Sequence, residues 1–157
     1  MQLFARDPNA GWLAVVERIV LALWVGGQCA VGYLAVPVLF HHLDRMQAGA
    51  LAAPMFALVN WLGLGFGLFL LASAWMRRRS GAWPAWQLGA LAVMLILIAA
   101  TQFGLQPLMA ELRAQAAANG GVLPPRFGQL HGISSVMYLV ESLLGLALIA
   151  AHNFRRR

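Results

Sequence analysis

Residues 126–153, RFGQLHGISSVMYLVESLLGLALIAAHN, give the clearest indication of the fold. This segment is long and apolar enough to cross a bilayer as an α-helix, because about 20 apolar residues span the hydrocarbon layer. At about 100° per residue its polar and small side chains share roughly one third of the helix surface, and the remaining surface is aliphatic. Those residues are His131, Ser134, Ser135, Tyr138, Glu141, Ser142, Gly145 and His152. The pattern predicts a membrane helix with one face toward lipid and the other toward protein, water or a ligand.

The rest of the chain has the same apolar character. Of its 157 residues, 61% are hydrophobic and 10% are charged, whereas about a quarter of the residues in a soluble domain are charged. The apolar residues also come in uninterrupted runs that a water-soluble core of this size could not hide. Composition and length together predict an integral membrane protein whose residues 1–157 form a single transmembrane domain.

Four apolar runs predict four transmembrane helices, at about residues 17–40, 51–76, 83–106 and 131–152. Pro37 is expected to mark the exit of the first helix, because proline disfavours helical geometry in the residue before it. Pro107 is expected to kink or end the third helix. A short extra helix is predicted at about 107–118, ending at Asn119-Gly120-Gly121. The predicted fold class is therefore all-α, a bundle of four transmembrane helices.

The arginines predict how this bundle is oriented. Four spans put both termini on one side, together with eight of the eleven basic residues, all of them arginine. The eight are Arg6, Arg18, Arg77, Arg78, Arg79, Arg155, Arg156 and Arg157, and the other three are Arg45, Arg113 and Arg126. The positive-inside rule then places both termini in the cytoplasm of a bacterium, with a multi-pass chain in its inner membrane. Basic clusters at helix ends, without interleaved aromatic residues, indicate the lipid bilayer and not a nucleic acid as the partner.

Glu141 lies near the middle of the fourth span, where a carboxylate is costly and tends to face the bundle or to be protonated. Its candidate partners are Gln28, Tyr138 and Asn60. Two interpretations stay open, a structural hydrogen bond between helices and a carboxylate that handles protons or contacts a substrate. Gln28 belongs to a matching face of the first helix, with Glu17, Trp24, Gly32 and Ala35 at helical spacing.

Small residues predict where helices approach one another closely. Gly63 and Gly67 form a small-xxx-small pair on the second helix. Gly26 and Gly27 make the first helix thin, which also suits close packing. The opening turns of the first helix, with Glu17 and Arg18, are expected at the membrane interface.

Charged residues and histidines gather near the predicted periplasmic face. Asp44, Arg45, Glu111, Arg113 and Arg126 predict a solvated loop, with an ion-pair network or an anion-binding rim as the alternative.

His41, His42 and His131 are of the residue type that binds copper or clamps a haem iron. No compact metal-binding spacing accompanies these histidines, and Cys29 is the only cysteine. A copper or haem cofactor is thus an alternative hypothesis.

Several segments resemble the bacterial relatives of transmembrane protein 205, small four-span membrane proteins grouped as a domain of unknown function. They are LWVGGQ (23–28), VPVLF (36–40), the Asn60 segment with Ala48-Gly49 upstream, QPLMAELR (106–113) and RFGQLHGISSVMYLVESLLGL (126–146). The resemblance covers the chain from about Val16 to Ile149. It implies a four-helix membrane protein and supplies no catalytic residues. The positions that match the family pattern are Trp24, Gly27, Gln28, Pro37, Asn60, Pro107, Arg126, His131, Gly132 and Ser134.

The leading functional hypothesis is a non-enzymatic inner-membrane protein that binds a partner or small ligand between the first and fourth helices, near the periplasmic face. It would act as an accessory or ligand-binding component, within a larger membrane complex or as a homo-oligomer. The predicted site residues are Trp24, Gln28, Asn60, Arg126, His131, Ser134, Tyr138 and Glu141. The alternatives are a metal- or haem-handling protein using His41, His42 and His131, and a small proton-linked transporter using Glu141.

Overall fold

The computed structural model describes residues 8–77 and 83–154, and the side chains of residues 11–77 and 83–151. Its α-helices are α1 (Pro8–Ala30), α2 (Val36–His42), α3 (Arg45–Met76), α4 (Ala85–Ala99), α5 (Gln106–Ala118) and α6 (Pro125–Phe154). Two π-helical segments, Val31–Ala35 and Ala100–Leu105, join α1 to α2 and α4 to α5. No strand occurs in the described ranges. Arg6, Arg78, Arg79, Arg155, Arg156, Arg157 and the side chain of His152 lie outside what is described.

The segments combine into four long helices, which the sequence predicted. They are Gly11–His42, Arg45–Met76, Ala85–Ala118 and Pro125–Ala151, with 32, 32, 34 and 27 residues. Each is apolar enough to cross a membrane and longer than the roughly 20 residues that the hydrocarbon layer requires. The prediction of an all-α chain with four candidate membrane helices is therefore confirmed.

The prediction that the first helix ends at Pro37 is wrong. The helix continues to His42, because the π-helical segment before Pro37 widens the turn where the proline lacks an N–H. In this segment the Val36 N–H donates to the Val31 carbonyl, five residues back.

Pro107 follows a π-helical segment in the same way, and the Gln106 N–H donates to the Thr101 carbonyl. The extra helix expected at 107–118 is therefore the continuation of the third helix, as α5. Sequence reasoning expected Pro37 to end its helix and Pro107 to kink or end its helix, because it did not allow for a π-turn.

Glycines let neighbouring antiparallel helices approach closely. A Cβ added at Gly63 would lie 2.7 Å from the Trp24 Nε1, and one at Gly67 would lie 3.1 Å from the same indole. One at Gly145 would lie 2.7 Å from a Val25 methyl group. The close approach predicted at Gly63 and Gly67 is therefore confirmed.

Gly26 and Gly27 do not take part in such packing. Both are exposed, and a Cβ built at either would meet no described atom within 4 Å. The close packing expected at these two residues is absent from the described chain.

A cluster of buried hydrophobic side chains forms the core at one end of the bundle. Its buried members are Leu21, Trp24, Val25, Leu70, Ala74, Trp83, Leu91, Met94, Ile98 and Leu148. At this end Glu17 is 2% exposed, its carboxylate accepts a hydrogen bond from Ser73, and it forms a 2.8 Å ion pair with Arg77. Glu17 is thus buried between α1 and α3 beside the C-terminal end of α3, and the expectation that its turn lies at the membrane interface stays a prediction. The other end of the bundle is open.

Candidate functional site

A partly enclosed cavity of about 1030 Å³ occupies the open end of the bundle, the end predicted to face the periplasm. Its walls come from α2, the first half of α3, α5 and the first half of α6. Along α6 it extends from Pro125 to Leu139, about 21 Å at the helical rise of 1.5 Å per residue. The volume lies at the upper end of the range for small-molecule sites, about 300–1,000 Å³.

The cavity forms where the first and fourth helices separate. α1 packs against α6, but beyond the π-helical segment α2 packs against α3 instead. Val36, Pro37 and Phe40 of α2 thereby become cavity lining. The π-turn before Pro37 lies at the point of separation, and π-turns are often found at functional sites.

Aromatic side chains form the floor of the cavity. The Tyr138 ring packs edge-on against Phe56, with centroids 5.2 Å apart, and lies 6.0 Å from the Tyr33 ring. It covers the backbone of Gly32, where an added Cβ would collide with the phenol. Its hydroxyl donates to the Gln28 carbonyl. The floor therefore closes the cavity against the middle of the bundle.

Beneath the floor lies a buried polar cluster. The Gln28 amide donates to the Glu141 carboxyl at 3.2 Å and to the Ser142 hydroxyl at 3.5 Å. Tyr33 donates to Ser142 at 3.1 Å, which connects this cluster to the floor. The prediction that Gln28 faces Glu141 is confirmed.

Two other predicted site residues lie outside this buried polar cluster. Asn60 lines the cavity but donates to the Gln102 side chain at 3.2 Å instead of contacting Glu141. Trp24 is 2% exposed in the core and is not among the cavity lining. The polar face of α6 therefore has two parts. One part contacts α1 below the floor, and the other lines the cavity above the floor.

A stack of side chains stands at the mouth of the cavity. The Arg113 guanidinium lies 5.6 Å from the centroid of the Phe127 ring. His131 stacks on Phe127, with centroids 6.1 Å apart and ring planes 5° from parallel. The hydroxyls of Ser134 and Ser135 both donate to the His131 carbonyl, within the same helix.

The charge of the described lining is entirely positive. Arg45 and Arg113 line the cavity, and no aspartate or glutamate does. Asp44 instead caps α3, accepting from the N–H groups of Met46 and Gln47. Glu111 accepts from Gln115 on the exposed face of α5. Of the predicted charged rim, only Arg45 and Arg113 line the cavity.

Arg126 and the histidine pair lie away from the cavity. Arg126 is exposed and is not among the lining residues, although its neighbours Pro125 and Phe127 are. The rings of His41 and His42 contact each other edge-on at 5.0 Å, and neither belongs to the lining. Among the described side chains, His41, His42 and His131 do not come together as a group that could hold a metal ion.

Sequence reasoning missed the aromatic floor and the amide partner of Asn60. Tyr33, Phe56 and Gln102 were not singled out, because aromatic residues and single amides are common in apolar spans. Helical spacing was the available signal, since Phe56 precedes Asn60 by four residues and so shares its face.

The comparisons with known proteins bear on the family of this chain. No curated protein and no solved structure matches it. The family described as a domain of unknown function, DUF4149, matches residues 19–118. This range includes the walls of the cavity that α2, α3 and α5 contribute, and it ends before α6. Because the match spans well over half of the chain, the protein belongs to the DUF4149 family.

Proposed function

We propose that this chain is a non-enzymatic, multi-pass inner-membrane protein that binds a lipid-like small molecule in the cavity at its periplasmic end. The observation that carries the proposal is a cavity of about 1030 Å³ whose lining is mostly apolar, with a few polar side chains. Such a combination is typical of small-molecule sites. His131, Ser134, Asn60 and Tyr138 belong to that lining, which supports their role as site residues.

The proposal is tested by filling the cavity. Gly49 of α3 lines it, and a Cβ added there would meet no described atom within 4 Å. Gly49→Phe is therefore expected to occupy ligand space without disturbing the helix packing. Gly65 of the same helix has equally open surroundings and does not line the cavity, so Gly65→Phe is the matched control.

The measurement is native mass spectrometry of the protein released from phosphatidylcholine nanodiscs, with monoacylglycerol added as the probe. Wild type and Gly65→Phe should retain one bound monoacylglycerol, and Gly49→Phe should lose most of it. Equal retention by all three proteins would contradict the proposed site. Gly128→Phe, with Gly132→Phe as its control, repeats the comparison on the opposite wall.

An accessory role in a larger membrane complex or a homo-oligomer stays a prediction. It is supported by Gly26 and Gly27, which are exposed. No described neighbour lies within 4 Å of a Cβ added at either residue. It predicts that a fixed partner, or a second copy, purifies with the chain at a constant ratio in mild detergent. A lone monomer in nanodiscs would contradict it.

The copper or haem hypothesis and the proton-linked carrier also stay predictions. A haem protein would show a Soret absorption band after mild purification, and a copper protein would show the metal by elemental analysis. For the carrier, Glu141→Gln should abolish transport, since the amide cannot release a proton. The finer family assignment, to the bacterial relatives of transmembrane protein 205, is proposed from segments 23–28, 36–40 and 126–146.

A further inference from the structure

We infer that the ligand of the cavity is an anionic single-chain lipid, with a phosphate or carboxylate head at the mouth and its acyl chain directed toward the aromatic floor. The inference rests on the proposed function, because it names the chemical class of the molecule that the same cavity binds. It follows from where charge and apolar surface lie along the cavity.

The mouth carries positive charge that no described carboxylate neutralises. Arg113 is half-buried, and its guanidinium lies over the face of the Phe127 ring. Arg45 also lines the cavity, and its neighbour Asp44 is engaged in capping α3. A guanidinium pairs strongly with phosphate or carboxylate because its donors match two oxygens at once.

The start of α6 adds to this preference. Pro124, Pro125 and Gly128 line the cavity, and the first turn of α6 contains no acidic residue. The N-terminus of a helix carries a partial positive charge that favours anions. The start of α6 therefore favours an anion at the mouth, as Arg113 and Arg45 do.

Below the mouth the lining becomes apolar. Phe40, Ala53 and Phe56 line it, and the cavity as a whole, including the mouth, extends about 21 Å along α6. An acyl chain fits such a space, whereas a small hydrophilic anion would leave the apolar walls without a partner. The lateral separation of α2 from α6 also suits a ligand that arrives from the membrane.

The test compares lysophosphatidylglycerol with lysophosphatidylcholine of the same acyl chain. Equal amounts are added to the full chain in phosphatidylcholine nanodiscs, and native mass spectrometry measures the ratio of the two bound species. The wild type is expected to bind the anionic lipid preferentially. Arg113→Gln should lower that preference about tenfold, as expected when one charge-assisted contact is lost.

Arg126→Gln is the matched control, since Arg126 is exposed at the same end of the bundle and does not line the cavity. It should leave the preference within about twofold of wild type. An equal loss in both variants would overturn the inference, because it would indicate general attraction to a basic surface. Arg45→Gln provides a second variant, with the same expected direction, if Arg113→Gln fails to fold.

The failure of this inference can be distinguished from the failure of the proposed function. If Gly49→Phe removes both lysolipids while Arg113→Gln changes nothing, the cavity binds lipid without selecting charge and the inference falls. If Gly49→Phe and Gly65→Phe retain equal amounts of both lysolipids, the cavity is not the site. Both proposals then fall.

Discussion

The contact between Gln28 and Glu141 is the residue-scale feature that joins the first and fourth helices. Both side chains are nearly fully buried, and each supplies the polar partner of the other. A buried polar group that loses its partner costs about 1–3 kcal/mol, whereas removing both partners can be nearly neutral. The pair therefore contributes more to specifying how α1 aligns with α6 than to net stability.

Gln28→Leu and Glu141→Leu are each expected to lower the free energy of unfolding by about 1–3 kcal/mol, because each removes the buried hydrogen bond between these two side chains. The double variant should cost clearly less than the sum of the two, as coupled neighbours do. The measurement is the unfolding midpoint in mild detergent. Strict additivity of the two changes would show that the 3.2 Å contact does not couple the helices.

At the scale of elements, the first and third long helices each contain a π-turn before a proline. Val31–Ala35 precedes Pro37, and Ala100–Leu105 precedes Pro107. Both turns lie beside the cavity, and Tyr33 and Thr101 within them belong to its lining. The two wide turns therefore shape the cavity and allow each helix to continue past its proline.

Close helix packing makes a second prediction at this scale. Gly63→Ala would place its Cβ 2.7 Å from the Trp24 indole and 2.9 Å from Ile98, and overpacking of this kind costs about 1–3 kcal/mol. Gly65→Ala on the same helix meets nothing within 4 Å. It should be neutral or slightly stabilising, since alanine is the better helix former.

Thermal unfolding of the two alanine variants in the same detergent separates these outcomes. The midpoint of Gly63→Ala should fall, and that of Gly65→Ala should stay at or above wild type. If both variants unfold with the wild type, α3 does not depend on the close approach of Trp24 at Gly63.

At the scale of the whole molecule, one half of the bundle is packed and the other half is open. The buried core and the Glu17–Arg77 ion pair hold the end that is predicted to be cytoplasmic. The cavity occupies the end predicted to be periplasmic. The packed half thus supports the half that contains the cavity. The orientation of the bundle decides which side of the membrane the cavity faces.

The orientation predicts which ends of the helices a membrane-impermeant thiol reagent reaches. In a Cys29→Ser background, a cysteine at Ala118 should react in intact spheroplasts. A cysteine at Met76 should react only after the membrane is permeabilised. Both positions are exposed in the structure, so the comparison reports their side of the membrane. The reverse pattern would invert the predicted topology.

The four helices could be predicted from the sequence alone. Apolar runs long enough to cross a bilayer have few structural alternatives to a transmembrane helix. The sequence also determined the polar face of α6 and its contact with Gln28, since helical periodicity and the cost of a buried carboxylate both favour such a pair. Close packing at Gly63 followed from residue size. These conclusions depend on local patterns, which the sequence displays directly.

Only the tertiary structure decided where the cavity lies and which residues line it. Its position depends on the π-turn before Pro37, which directs α2 toward α3 and away from α6. Sequence periodicity does not predict such a turn, because one widened turn changes every face that follows it. The lining also depends on how α5 and α6 are placed: Arg126, predicted in the site, lies outside it, while Arg113 of α5 lines it.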